Sequence, residues 1–237
     1  MKSPFIFIAA LLLLNACAAP KQPPAAAPLD VEPADTQAPA VTAAPTATEL
    51  PAATAEPSPT PFPMENGVFT GQPDDFLLTE EELAGQYAAA DDGSASTNMD
   101  LLQARADGDA YIAATGRLTG WRIQFNREAE GESPPYIVNV VNIYQTAEGA
   151  QLVLSREWHQ DVWAAIDSGQ LTRLPEIAGL DAEQLVWQTA DGAVGVEIVY
   201  RNLYIFLTGP AEGDVDQYQF FADLIAAHLD WIKEGES

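Results

Sequence analysis

The sequence predicts an α+β domain: an antiparallel sheet of about five strands covered by helices, in the element order ααββαβββα. Three observations carry this. Apolar and polar residues alternate in "WRIQFNR" (Trp121 to Arg127), the period of a strand with one buried face. Short turn signals, Asp191-Gly192 above all, join the later β-rich runs, and such turns connect antiparallel neighbours. Apolar residues at helical spacing mark the segment from Ala147 to Asp167 and the end of the chain.

The elements follow in order. "LTEEELAGQYAAADDG" reads as a short helix, with Thr79 as its cap, Glu82 three residues on as in a capping box, and acids in the first turn. "NMDLLQARADGDAYIAATG" reads as a second helix that runs through Gly108 and stops at Gly116. "WRIQFNR" buries Trp121, Ile123 and Phe125. "YIVNVVNIYQ" carries β-branched residues on both faces and is expected in the middle of the sheet. Thr146 caps a long helix from Ala147 to about Asp167, with Leu154, Trp158, Val162, Ala165 and Ile166 on its core face. Three strands follow, "EQLVWQTA", "AVGVEIVY" and "LYIFLTG", with Arg201-Asn202 as the second turn. The last helix runs from about Val215 to Lys233, capped by Asp214, with Tyr218, Phe221, Ile225, Leu229 and Ile232 as its buried stripe.

Composition divides the chain of 237 residues into three parts. Lys2 and the uncharged apolar run Phe5 to Leu14 have the pattern of a secretory signal, and the run is too short to span a bilayer. The quartet Leu14-Asn15-Ala16-Cys17 resembles the lipobox of bacterial lipoproteins. That resemblance implies cleavage after residue 16 and a lipid, diacylglycerol with palmitate-type chains, on the thiol of Cys17. The alternative is an ordinary secretory signal cut after Ala16 or Ala18. Cys17 is the only cysteine, and lipidation removes a lone thiol from an oxidising compartment. Residues 17–63 form an Ala/Pro/Thr-rich segment with almost nothing to bury, expected to be a disordered stalk. Residues 64–237 hold the single α+β domain.

The element order from about Leu77 to Lys233, behind a lipobox and a stalk, also resembles small sensor or binding domains of bacterial lipoproteins with the fold of PsbP and Mog1 proteins. That resemblance implies binding or assembly rather than catalysis, and it carries over no functional residue.

The formal charge is −25, from 35 acids against 10 Lys and Arg. Five acids and two bases precede Pro63, which leaves 30 acids against 8 bases, or −22, in the domain. Such a field repels phosphate backbones and excludes nucleic acid as a partner class. The expected partners are the membrane, through the lipid on Cys17, and an unknown envelope protein or small ligand.

Candidate chemistry is sparse. The histidines are His159 and His228. Ser155 lies four residues before His159, within reach on a helix, yet no nucleophile elbow surrounds any serine, so both histidines are read as structural. Asp91, Asp92, Asp100, Asp107 and Asp109 crowd one stretch without the spacing of a calcium loop. A single cysteine and two distant histidines do not make a zinc site. The five tryptophans are read mainly as core, with a carbohydrate or apolar ligand site as the other use. The sequence therefore assigns Cys17 for lipidation, and no catalytic residue, cofactor or metal. It predicts a membrane-anchored extracytoplasmic lipoprotein with a non-enzymatic binding, sensor or accessory domain. The alternative is a cell-surface hydrolase using carboxylates or His159, which needs those groups to converge on a cleft.

Overall fold

A computed structural model describes residues 62–128, 131, 133–211 and 216–236. The expected leader over 1–16, Cys17, the expected stalk apart from its last two residues, and Asp214 lie outside the described residues.

The described chain opens with a small hairpin, β1 (Met64–Glu65) and β2 (Val68–Phe69). Its turn is Asn66-Gly67, both with positive φ, a combination suited to a two-residue turn. A 3-10 turn at Pro73–Phe76 leads into the segment expected to be the first helix. That helix is absent. Thr79 and Glu82 do form the reciprocal capping bonds, at 2.8 and 3.2 Å, but only one turn follows. Ala84 and Gly85 then turn left-handed, with φ of 52° and 65°, and the chain leaves as β3 (Tyr87–Ala89). Pairing to a long neighbouring strand overrides local helix propensity here.

After β4 (Ser94–Ser96), the expected second helix is broken in two: α1 (Asn98–Ala104) and α2 (Gly108–Thr115). Arg105 takes an extended backbone and turns back onto Asp107 at 2.8 Å. Gly116 ends α2 in the left-handed region, as its position suggested.

β5 (Arg117–Arg127) and β6 (Tyr136–Tyr144) follow. The expected long helix is interrupted as well. α3 (Ala147–Gln151) ends in a 3-10 turn at Leu152–Leu154, and α4 (Gln160–Asp167) begins after an extended Ser155. The indole N–H of Trp163 donates to the Leu154 carbonyl at 2.9 Å, holding α4 folded back on the turn. A continuous helix would have claimed that carbonyl. β7 (Leu171–Arg173), β8 (Glu183–Thr189), β9 (Val194–Tyr200), β10 (Leu203–Gly209) and α5 (Gln217–Glu234) complete the order. The cap of α5 is Asp216, which accepts from the Gln219 N–H at 3.2 Å.

The main sheet is antiparallel, in the order β3-β5-β6-β10-β9-β8-β7, with β4 beside β3 on β5. It has eight strands rather than about five. The five long strands are those expected. The three additions, β3, β4 and β7, have three residues each, too few to show a period of two. β6 lies inside the sheet, as its two apolar faces required.

One sheet face packs against α5 and the 62–83 segment. Phe221, Ile225, Leu229 and Ile232 of α5 are fully buried against Val141, Ile143, Val196, Ile198 and Ile205. Each such side chain contributes roughly 1.5 to 3 kcal/mol. Two buried asparagines stitch the N-terminal segment to this face. Asn202 accepts from the Phe69 N–H at 2.8 Å and donates to the Phe69 and Tyr144 carbonyls at 2.9 Å. Asn139 accepts from the Leu78 N–H at 2.8 Å. Phe62 closes the end of the layer: its ring packs on Phe76 and Trp231, and its N–H donates to the Gly235 carbonyl at 2.7 Å. The other face carries a second cluster under α2, α3 and α4, including Tyr111, Tyr144, Val153, Leu154 and Tyr204.

Candidate functional site

Strand register decides which side chains meet on the second face. Arg122, Val140, Phe206, Glu197 and Leu185 form one row across β5, β6, β10, β9 and β8. In the next row, Thr208, Gly195, Trp187 and Arg173 follow one another from β10 to β7. Glu197 thus puts a carboxylate in the middle of an otherwise apolar strand, and its side chain is 2 % exposed.

Burying a charge there is costly unless it is paired and hydrogen-bonded. Two donors do this. The Trp187 indole N–H donates to one oxygen at 2.6 Å, and the Tyr204 hydroxyl donates to the other at 2.9 Å. His159 Nε2 approaches that second oxygen at 2.7 Å, at an angle poor for a hydrogen bond. Burial first, and then the neighbouring Glu197 charge, push the Tyr204 hydroxyl well above its usual range, so it stays a donor. Tyr111 and Tyr144 extend the polar line behind it, their hydroxyls 2.9 Å apart.

Gly195 completes the arrangement. A Cβ at this position would lie 2.3 Å from the Trp187 ring, so the indole lies flat against the strand only because residue 195 is glycine. Phe206 is 6.0 Å from Trp187, centroid to centroid, with the planes 30° apart.

His159 is the residue before α4 and does not meet Ser155 through its side chain; the Ser155 hydroxyl accepts instead from the Trp158 N–H at 3.4 Å. Two cavities among the described residues lie elsewhere. One of about 230 Å³ is lined by Trp163, Arg173, Glu176 and Glu183, and one of about 480 Å³ lies between the Asn66-Gly67 turn and Gln145 to Glu148. Neither is lined by His159, His228 or Glu197.

His228 is fully buried on α5 and joins two segments far apart in sequence. Its Nδ1 is 2.6 Å from Glu82 Oε1, and its Nε2 is 3.0 Å from the Phe76 carbonyl oxygen. A carbonyl only accepts, so Nε2 carries a proton. Nδ1 and the Glu82 carboxyl share a proton across their 2.6 Å contact. Burial works to raise the Glu82 carboxyl, but the bond and charge of His228 and the bonds from Thr79 outweigh it and hold the group below its usual range.

Three of the five aspartates singled out in sequence are occupied by local structure. Asp91 accepts from the Gly93 N–H at 2.9 Å, Asp100 caps Thr97 at 2.8 Å, and Asp107 pairs with Arg105. Asp109 stands in the first turn of α2. Among the described residues, no group of three or more His, Cys, Asp or Glu is placed to hold a metal ion. No described helix is long and apolar enough to cross a membrane. Glu197 and Trp187 were not picked out from sequence, although one acid inside "AVGVEIVY" was a visible break in the apolar pattern.

No protein-family model matches the chain, and no curated protein matches it. Among solved structures, the extracellular domain of PknH from Mycobacterium tuberculosis superposes with a TM-score of 0.39 at 13 % identity, over 68 % of this chain and 94 % of that one. A likeness of that size establishes neither a shared fold nor a shared role.

Proposed function

We propose that this chain is an extracytoplasmic lipoprotein, anchored through Cys17, whose α+β domain binds a ligand or partner and does no chemistry of its own. The observation that carries the binding role is the use made of Glu197. Its oxygens accept from Trp187 and Tyr204, His159 Nε2 stands 2.7 Å from one of them, and its side chain is 2 % exposed. A general acid or base must reach the proton it transfers. A carboxylate enclosed in this way instead fixes the position of its neighbours. The export and anchoring part rests on the signal-like run and the quartet Leu14-Asn15-Ala16-Cys17.

Labelling living cells with an alkyne fatty acid tests the anchor. The wild-type chain is expected to take up the label and sediment with membranes, and Cys17→Ser to lose both properties. An unlabelled, soluble wild-type chain would overturn the anchor. Crosslinking in cells through a C-terminal affinity tag tests the accessory role. One dominant partner makes the chain an accessory subunit, and no partner above background makes it a solitary small-ligand binder.

A further inference from the structure

The contacts of Glu197 are unequal. Trp187 and Tyr204 give it hydrogen bonds, whereas His159 Nε2 comes within 2.7 Å at an angle poor for one. A misaligned hydrogen bond is weak. Attraction between opposite charges depends on separation far more than on angle, and it is strongest where water is excluded. Here Nε2 is buried and the Glu197 side chain is 2 % exposed. The contact is therefore weak while the imidazole is neutral and strong once it is an imidazolium. The ring can make that change. Among the described residues Nδ1 makes no hydrogen bond, and the side chain is 21 % exposed although Nε2 is buried, so Nδ1 is the atom that takes a proton from water.

His159 stands where such a change acts on an element. Its N–H donates to the Ser155 carbonyl at 2.9 Å, and its own carbonyl accepts from the Trp163 N–H at 3.1 Å. Fixing residue 159 thus fixes the first turn of α4, whose Val162 and Ile166 pack on the second cluster. The tie beside it is long: Arg105 reaches the Trp158 carbonyl at 3.3 Å. The groups facing this turn hold their protonation states. Burial keeps the hydroxyls of Tyr204 on β10, Tyr111 on α2 and Tyr144 on β6 protonated. Their mutual bond raises Arg105 and lowers Asp107. Glu157 and Asp161, on either side of His159 in the chain, are exposed carboxylates.

We propose that His159 and Glu197 form an acid-tightened latch: a proton on the imidazole draws the turn before α4 onto β9, and loss of that proton lets α4 open from the sheet. The latched form binds the proton more tightly than the open form, so acid favours it and its contribution falls away as pH rises. The latch does not depend on the anchor or the binding role proposed above.

Hydrogen exchange of the full chain in detergent at about pH 5.5 and about pH 8, expressed as protection relative to the intrinsic rate at each pH, tests it. Protection of residues 160–167 is expected to fall by about fivefold or more at the higher pH, with that of α5 changing less. The Glu82 carboxyl, held below 4.5, stays ionised at both values, so the His228 contact keeps its carboxylate. His159→Gln is expected to show the low protection of α4 at both pH values, and His159→Lys, a cation throughout, the high protection at both. Equal wild-type protection of α4 at the two pH values overturns the latch. So does a fall shared equally by α5, or a His159→Gln chain that keeps the wild-type pH dependence. If His159→Gln fails to fold, His159→Lys decides: pH-dependent protection of α4 in that chain overturns the proposal.

Discussion

At the scale of single residues, two buried carboxylate–histidine contacts hold this domain together in different ways. Glu197 and His159 lie on one side of the sheet and orient an aromatic ring. Glu82 and His228 lie on the other and lock the 76–82 segment to α5. The second pair makes a pH prediction. The Glu82 carboxyl is held below its unfolded value of 4.5, so its contribution to stability is complete above that pH. It is lost as pH falls through the lower folded value. Glu82→Gln is expected to cost about 3 kcal/mol near neutrality, because it breaks a buried, hydrogen-bonded carboxylate–histidine pair. Urea unfolding across pH checks this: the gap between wild type and variant should close on acidification below 4.5.

At the scale of elements, local pattern and tertiary contact divide the explanation. The five long strands, the Asp191-Gly192 hairpin and the buried stripe of α5 follow from periodicity and were legible in the sequence. The breaks in the helices were not. "LVLSREWH" keeps helical spacing through its apolar residues, and the interruption comes from Trp163 returning to the Leu154 carbonyl, a contact no local window contains. "LTEEELAG" carries a capping box, yet the chain turns away at Ala84 because Tyr87 to Ala89 pair with β5 and Glu82 is drawn to His228. Asn66-Gly67 was a hairpin signal present in the sequence and passed over, because strands of two residues show no period. Of the candidate site, His159 was visible as a residue, but its partner Glu197 was hidden by 37 intervening positions. Asn202 is the main stitch between the β1–β2 hairpin and the sheet. Asn202→Ala removes three buried hydrogen bonds and leaves the Phe69 N–H unpaired, at an expected cost of about 2 to 4 kcal/mol. Hydrogen exchange checks the location of the damage: the Phe69 amide should lose its protection well before the amides of β9.

At the scale of the whole molecule, charge and chain path set behaviour that no single contact controls. With −22 on the domain, self-repulsion opposes the compact state and salt relieves it. Raising sodium chloride from about 0.01 to about 0.5 M is therefore expected to raise the melting temperature, whereas a domain held mainly by exposed ion pairs would lose stability. The path of the chain has a mechanical consequence. Phe62, the first described residue, is bonded to Gly235 near the last. Tension arriving along the preceding residues meets α5 at its end, and the load is carried by one hydrogen bond and the contacts of one ring. That contact yields by peeling. A pull applied at Phe62 is therefore met at this junction before it reaches the strands of the main sheet.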